Sequence, residues 1–123
     1  MSTEATLNHH LQAFGEGVDA IMQDFTAESV LFTPDGVLQG LEPIRAFFDA
    51  FLNASPPELL NAVSIVRRDV HGEVAYIVWK AEPFIPLATD TFVVRGGKIV
   101  TQTFAALAPS PVAPGAHAGA GVA

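Results

Sequence analysis

The residue best placed to do chemistry in this chain is Asp90. It lies in ATDTFVVRGGKIVTQTF, Ala88 to Phe104, which reads as two β-strands meeting at the turn Arg95-Gly96-Gly97-Lys98. Two adjacent glycines can adopt the positive φ angles that a two-residue hairpin loop requires. Alternation then sends Ala88, Asp90, Phe92 and Val94 to one face and Thr89, Thr91 and Val93 to the other. Gln102 and Phe104 are expected to join the Asp90 face from across the hairpin. A carboxyl so placed is either a polar group in a pocket, with acid–base chemistry among its uses, or an exposed carboxylate near a strand start.

Other candidates carry two readings each. His10 is either a base within reach of a ligand or a half-buried helical histidine bonded to backbone or water, and the pattern favours the second. The pair His9-His10 has no third ligand at helical spacing, so no metal is expected. Trp79 is a core or interface residue first, although its alternation with Ile77 favours the inner side of the sheet. Gln102 either anchors a ligand carbonyl or satisfies Asp90. The chain contains no cysteine, which removes thiol nucleophiles and disulfides. It also lacks a GxSxG elbow, a phosphate-cradling glycine loop and a paired-carboxylate motif.

The elements that must position these residues are legible in hydrophobic period. Leu7, Leu11, Phe14, Val18, Ile21 and Phe25 recur at steps of three and four, predicting two helices between Thr6 and Phe25 with a break at Gly15-Glu16-Gly17. His9 points off this stripe, and His10 lies at its edge. Glu28 to Thr33 reads as a short strand closed by Pro34-Asp35-Gly36. Pro43 in a first turn opens a helix with the stripe Ile44, Phe47, Phe48, Phe51 and Leu52, and Pro56-Pro57 ends it. These phenylalanines are core first and cavity wall second. From Leu60 the period changes to that of strands. NAVSIVRRDV turns at His71-Gly72-Glu73 into VAYIVWKAE, whose Ala75, Ile77, Trp79 and Ala81 share a face. Pro83 and Pro86 break that strand before the hairpin. Helices followed by an antiparallel meander predict an α+β domain with the helices on one sheet face.

The totals bound the function. One domain of 123 residues with half its residues hydrophobic can bury a core and has no composition for disorder. Six basic against thirteen acidic residues give a net charge of −7. With only Arg67-Arg68 adjacent, no basic stripe exists to neutralise phosphates, so nucleic-acid binding is set aside. No run approaches the roughly 18 apolar residues of a membrane span. MSTEATLNHH lacks a charged segment followed by an apolar run, so a soluble, cytoplasmic protein is expected. Residues 108–123, rich in Ala, Pro and Gly, read as a tail outside a domain of residues 1–107, with His117 solvated.

The order of helices and strands, together with GVDAIMQDFTAESVLFTPDG, GLEPIRAFFDAF and TDTFVVRGGKIVTQTF, resembles the nuclear transport factor 2-like superfamily over about residues 6 to 107. Within it the chain is similar to the SnoaL-like branch, whose relatives include polyketide cyclases and ketosteroid isomerase. The resemblance implies a curved antiparallel sheet wrapped into a cone by the helices around a ligand cavity, with dimerisation through the outer sheet face. It places Asp90 where those enzymes hold a carboxyl that donates to an enolate oxygen or exchanges a proton, a role that needs a carboxyl kept protonated by apolar neighbours such as Phe92 and Phe104. It places Thr33 at the position of the isomerase's general base, and a hydroxyl cannot take a proton from carbon unaided. The isomerase's tyrosine position falls near His9 or His10, whereas the sole tyrosine is Tyr76, so steroid isomerisation itself is rejected. No Asp-Arg-Asp arrangement of the epoxide hydrolase kind can be assembled around Arg67 or Arg68. The expectation is therefore a cofactor-free domain for a small apolar ligand, homodimeric, acting as isomerase, cyclase or hydrolase on an apolar carbonyl compound. Asp90 and His10 would do the chemistry, while Leu31, Thr33, Phe48, Trp79, Phe92, Gln102 and Phe104 would bind. A non-catalytic carrier, or a dimerising domain whose interior is filled by its own side chains, is the alternative.

Overall fold

A computed structural model describes residues 1–107; the expected tail and His117 lie outside the described residues. Helix α1 spans Thr3–Ala13 and starts where Ser2 caps it, its hydroxyl accepting from the Ala5 N–H at 3.0 Å. The break falls at Gly15-Glu16-Gly17 as expected, and Gly17, at φ 111°, turns the chain into α2, Val18–Met22. That helix is shorter than its stripe predicts, because Phe25 already opens strand β1, Phe25–Thr33. Strand β2, Gly36–Gln39, then pairs back onto β1.

Helix α3, Leu41–Ala54, buries Ile44 and Phe48. It stops where the Ser55 hydroxyl donates to the Phe51 carbonyl at 2.6 Å and Pro56 follows. Pro57 does not merely end this segment. It is the first residue of a further helix, α4, Pro57–Asn61, where a missing N–H costs nothing. Strands β3 (Ser64–His71), β4 (Val74–Ala81), β5 (Ile85–Arg95) and β6 (Lys98–Leu107) complete the chain. Strand β5 begins before Pro86, which sits within it near an end. The β5–β6 turn has Gly96 and Gly97 at φ 57° and 75°, the two-residue geometry its sequence predicts.

The six strands form one open sheet in the order β2-β1-β6-β5-β4-β3. The expected antiparallel sheet is in fact mixed, because β1 lies parallel to β6. The chain reaches β6 only after the β3–β5 meander, so the last strand is laid beside the first in the same direction. Register shifts interrupt four of the five strand pairs, and such irregularities bend and twist a sheet. At the β1 shift the buried Ser29 hydroxyl donates to the Ile99 carbonyl at 2.6 Å and accepts from the Thr26 N–H at 2.9 Å.

The helices cover one face. Leu7, His10 and Ala13 of α1 and Ile44 and Phe48 of α3 meet Ala75, Ile77, Trp79, Ala88, Phe92 and Ile99 of the sheet. Among the described residues no helix is long and apolar enough to cross a membrane.

Candidate functional site

Between the helices and strands β4, β5 and β6 lies a cavity of about 330 Å³. Its walls come from α1 through Leu11 and Phe14, from α3 through Phe47, Phe48 and Phe51, and from the α4–β3 segment through Leu60 to Ile65. Its floor is Ile77 and Trp79 of β4, Asp90 and Phe92 of β5, and Gln102 and Phe104 of β6.

Register explains how the floor is assembled. Asp90 pairs with Ile77 on one side and Phe104 on the other, while Phe92 pairs with Gln102. Trp79 and Gln102 are therefore diagonal neighbours of Asp90, within reach of long side chains. The Trp79 indole N–H donates to Asp90 Oδ1 at 2.8 Å, and Gln102 Nε2 donates to Asp90 Oδ2 at 2.8 Å. Asp90 is 6% exposed. Burial raises its pKa to about 6, against the opposing pull of the two donors. Gln102 thus satisfies Asp90, and its own Oε1 is buried without a partner.

His10 is buried outright, not half-buried at the helix edge. Its ring meets Phe14, Phe25, Phe48 and Phe92 edge-on, at centroid separations from 5.1 to 6.0 Å. Burial, helped by the neighbouring His9, lowers its pKa to about 3. The ring is neutral at physiological pH, and its Nδ1 has no partner. A nitrogen so reluctant to take a proton is a poor general base.

Of the expected site residues, Asp90, His10, Phe48, Trp79, Phe92, Gln102 and Phe104 all line the one cavity. Leu31 and Thr33 do not. Leu31 is fully buried, but β1 lies one strand beyond β6 and its inner face is covered by α3. Thr33 is the last residue of β1, away from the cavity, and its hydroxyl accepts from the Asp35 N–H at 3.1 Å and donates to the Gly36 carbonyl at 3.3 Å. A second polar pair was not foreseen. His9 Nδ1 meets the buried Asp24 carboxylate at 2.8 Å, and burial raises the pKa of Asp24 while His9 pulls it back. The signal for it was the very placement of His9 off the apolar stripe. This pair ties α1 to the start of β1 and stands outside the cavity. No group of three or more His, Asp or Glu side chains among the described residues could hold a metal.

This open curved sheet, with helices on one face and a cavity between, is the nuclear transport factor 2-like fold. Solved structures of that fold are similar to the chain over most of its length. A nuclear transport factor 2-like protein of unknown function from Burkholderia xenovorans is 19% identical, with a TM-score of 0.69 over 94% of this chain and 90% of that one. A SnoaL-like protein of unknown function from Burkholderia thailandensis is 14% identical, with a TM-score of 0.67 over 85% and 93%. A protein with a ketosteroid isomerase-like fold from Catenulispora acidiphila, in complex with trimethylamine, is 18% identical, with a TM-score of 0.60 over 80% and 82%. No protein-family model matches the chain, and no curated protein sequence does.

Proposed function

We propose that this domain takes an apolar carbonyl compound into its cavity and that Asp90 exchanges a proton with it. The observation that carries this reading is a single carboxyl on the floor of an aromatic-walled cavity, held by two N–H donors with its pKa raised to about 6. A carboxyl poised near neutrality is present in both protonation states under physiological conditions, which is what acid–base catalysis requires. As carboxylate, Asp90 takes a proton from the carbon beside the carbonyl. The C–H bond breaks, an O–H bond forms on Asp90, and the electron pair moves to the carbonyl oxygen as an enolate. Return of the proton to another atom of the ligand completes an isomerisation. In its protonated form Asp90 donates a hydrogen bond to the ligand oxygen.

The test is exchange of the protons beside the carbonyl of benzylacetone in deuterated water, followed by NMR. Exchange catalysed by the wild type is expected to fall about a hundredfold in Asp90→Asn, the lower range for loss of a general base. Equal rates for the two proteins would overturn the assignment of Asp90.

A second reading, a carrier without turnover, is favoured by the scarcity of acid–base groups in the cavity: only His10 and Asp90 among the lining side chains titrate, and His10 stays neutral. Benzylacetone that changes the fluorescence of Trp79, the chain's sole tryptophan, without any exchange would select the carrier.

Self-association belongs to the same proposal. Exposed apolar side chains on strands β3 to β6, including Val66, Val74, Leu87 and Leu107, offer a surface for a second copy. Gel filtration at micromolar concentration is expected to give a dimer, and a monomer would contradict it.

A further inference from the structure

We infer that the cavity is also a binding site for an apolar ammonium ion, whose positive charge is the counter-charge that Asp90 lacks within the protein. This uses the same cavity but does not rest on the carbonyl reading.

The argument is an inventory of charge. The chain has six Lys and Arg residues, and all six are engaged away from the cavity. Arg45 pairs with Asp19, Arg67 with Asp69, Lys80 with Glu82 and Arg95 with Glu73. Arg68 reaches Asn8 and Glu4, and Lys98 donates to the Gln23 carbonyl. Asp90 is faced by Trp79 and Ile77 from β4 and by Gln102 and Phe104 from β6, with His10 of α1 among the cavity's lining. None of these carries a positive charge at neutral pH. A buried carboxylate normally has a cationic partner or gives up its charge. Here its two oxygens each accept one neutral N–H donor, and a carboxylate has room for about four.

The walls suit the same ligand. A cation over the faces of aromatic rings is held by their quadrupoles, increasingly so where water is excluded. Trp79 and Phe104 lie nearly parallel, 25° apart with centroids at 6.5 Å, beside the carboxyl, and Phe92 follows Asp90 on the same strand face. The net charge of −7 draws cations to the protein from solution. A carbonyl compound exploits none of these features except the proton of a protonated Asp90.

The two ligand classes therefore respond oppositely to pH. An ammonium requires the carboxylate, so its binding weakens as pH falls through the range where Asp90 takes its proton. A carbonyl oxygen accepting from the acid binds more tightly over the same range.

Three ligands of one shape separate the cases: N,N-dimethylphenethylamine (cationic), benzylacetone (carbonyl) and isopentylbenzene (apolar). Binding is read calorimetrically and by Trp79 fluorescence at pH 7.5 and pH 5. At pH 7.5 the amine is expected to bind about tenfold more tightly than isopentylbenzene, to lose most of that advantage at pH 5, and to lose it at both pH values in Asp90→Asn. An amine no tighter than the hydrocarbon overturns the inference, as does an advantage that survives Asp90→Asn. The wild-type pH comparison decides it even if the variant folds poorly. Failure of the amine with tight benzylacetone binding would leave the carbonyl reading standing, and the converse result would remove only that reading.

Discussion

Replacing His10 with leucine is expected to stabilise the protein progressively as pH is lowered, relative to wild type, by about 3 kcal/mol between pH 7 and pH 4. His10 is held neutral in the folded state, with its pKa lowered to about 3 from an ordinary 6.5. In the unfolded chain it takes a proton as pH falls below 6.5, and in the folded chain it does not until about 3. A depressed folded value means stability that is present above 6.5 and is lost as pH falls toward 3. Each pH unit in that window costs about 1.4 kcal/mol, and two and a half such units separate 6.5 from pH 4. Leucine, close in volume, removes this loss and the unpartnered Nδ1 with it. Urea denaturation of both proteins from pH 7 to pH 4 measures the difference directly. A constant gap across that range would mean that His10 is protonated in the folded state, and the neutral ring described above would be wrong.

Asp90 works against His10 in the wild type. Its folded pKa is raised from 3.8 to about 6, so its contribution is fully present below 3.8 and is lost as pH rises through 6. Between pH 6 and pH 4 the loss from His10 and the gain from Asp90 are each about 2 kcal/mol. The two titrations nearly cancel, and the wild type hides both. Asp24, raised in the same direction, adds to the Asp90 side and drops out of any comparison between His10→Leu and wild type.

The floor of the site was legible because strands announce their faces by alternation. A period of two sets Asp90 and Phe92 on one face, and Gln102 and Phe104 do join them as expected, but only because a register shift between Val93 and Val94 pairs Phe92 with Gln102 and Asp90 with Phe104. Alternation puts Trp79 on the inner face for the same reason, but its indole bond to Asp90 depends on strand neighbours that one chain segment does not disclose. Leu31 fails for a related reason. Alternation sends it inward correctly, yet which part of the inner face a strand occupies is set by strand order, and the parallel β1–β6 pairing moves β1 away from the cavity. Thr33 ends the first strand as the resemblance implies, but it lies outside the cavity and its hydroxyl bonds within the adjoining turn. Short elements escaped altogether: β2 has four residues and α4 five, too few for any period to emerge. The His9–Asp24 bond spans fifteen positions across the α1–α2 break, and only packing brings it together.

Asp90→Asn is expected to raise stability by up to about 3 kcal/mol at pH 7.5 while weakening the function of the site. Ionising Asp90 in the folded state is costly because burial outweighs its two donors, and at pH 7.5 the folded protein bears that cost in full. An asparagine never ionises. Its carbonyl oxygen can accept from the Trp79 indole at the present 2.8 Å geometry. Its amide can donate to Gln102 once that side chain turns its now unpartnered Oε1 toward position 90, which pairs a buried acceptor that is otherwise orphaned. At pH 4, where Asp90 is itself mostly neutral, the advantage should shrink to a small fraction of its value at pH 7.5. Chemical denaturation at the two pH values checks both size and sign. A variant less stable than wild type at pH 7.5 would show that the carboxylate is better held than its burial implies, and with that the poised acid would lose its basis. The predicted result would support the proposed role of Asp90, because a side chain that lowers the stability of the fold at neutral pH contributes nothing there to the scaffold.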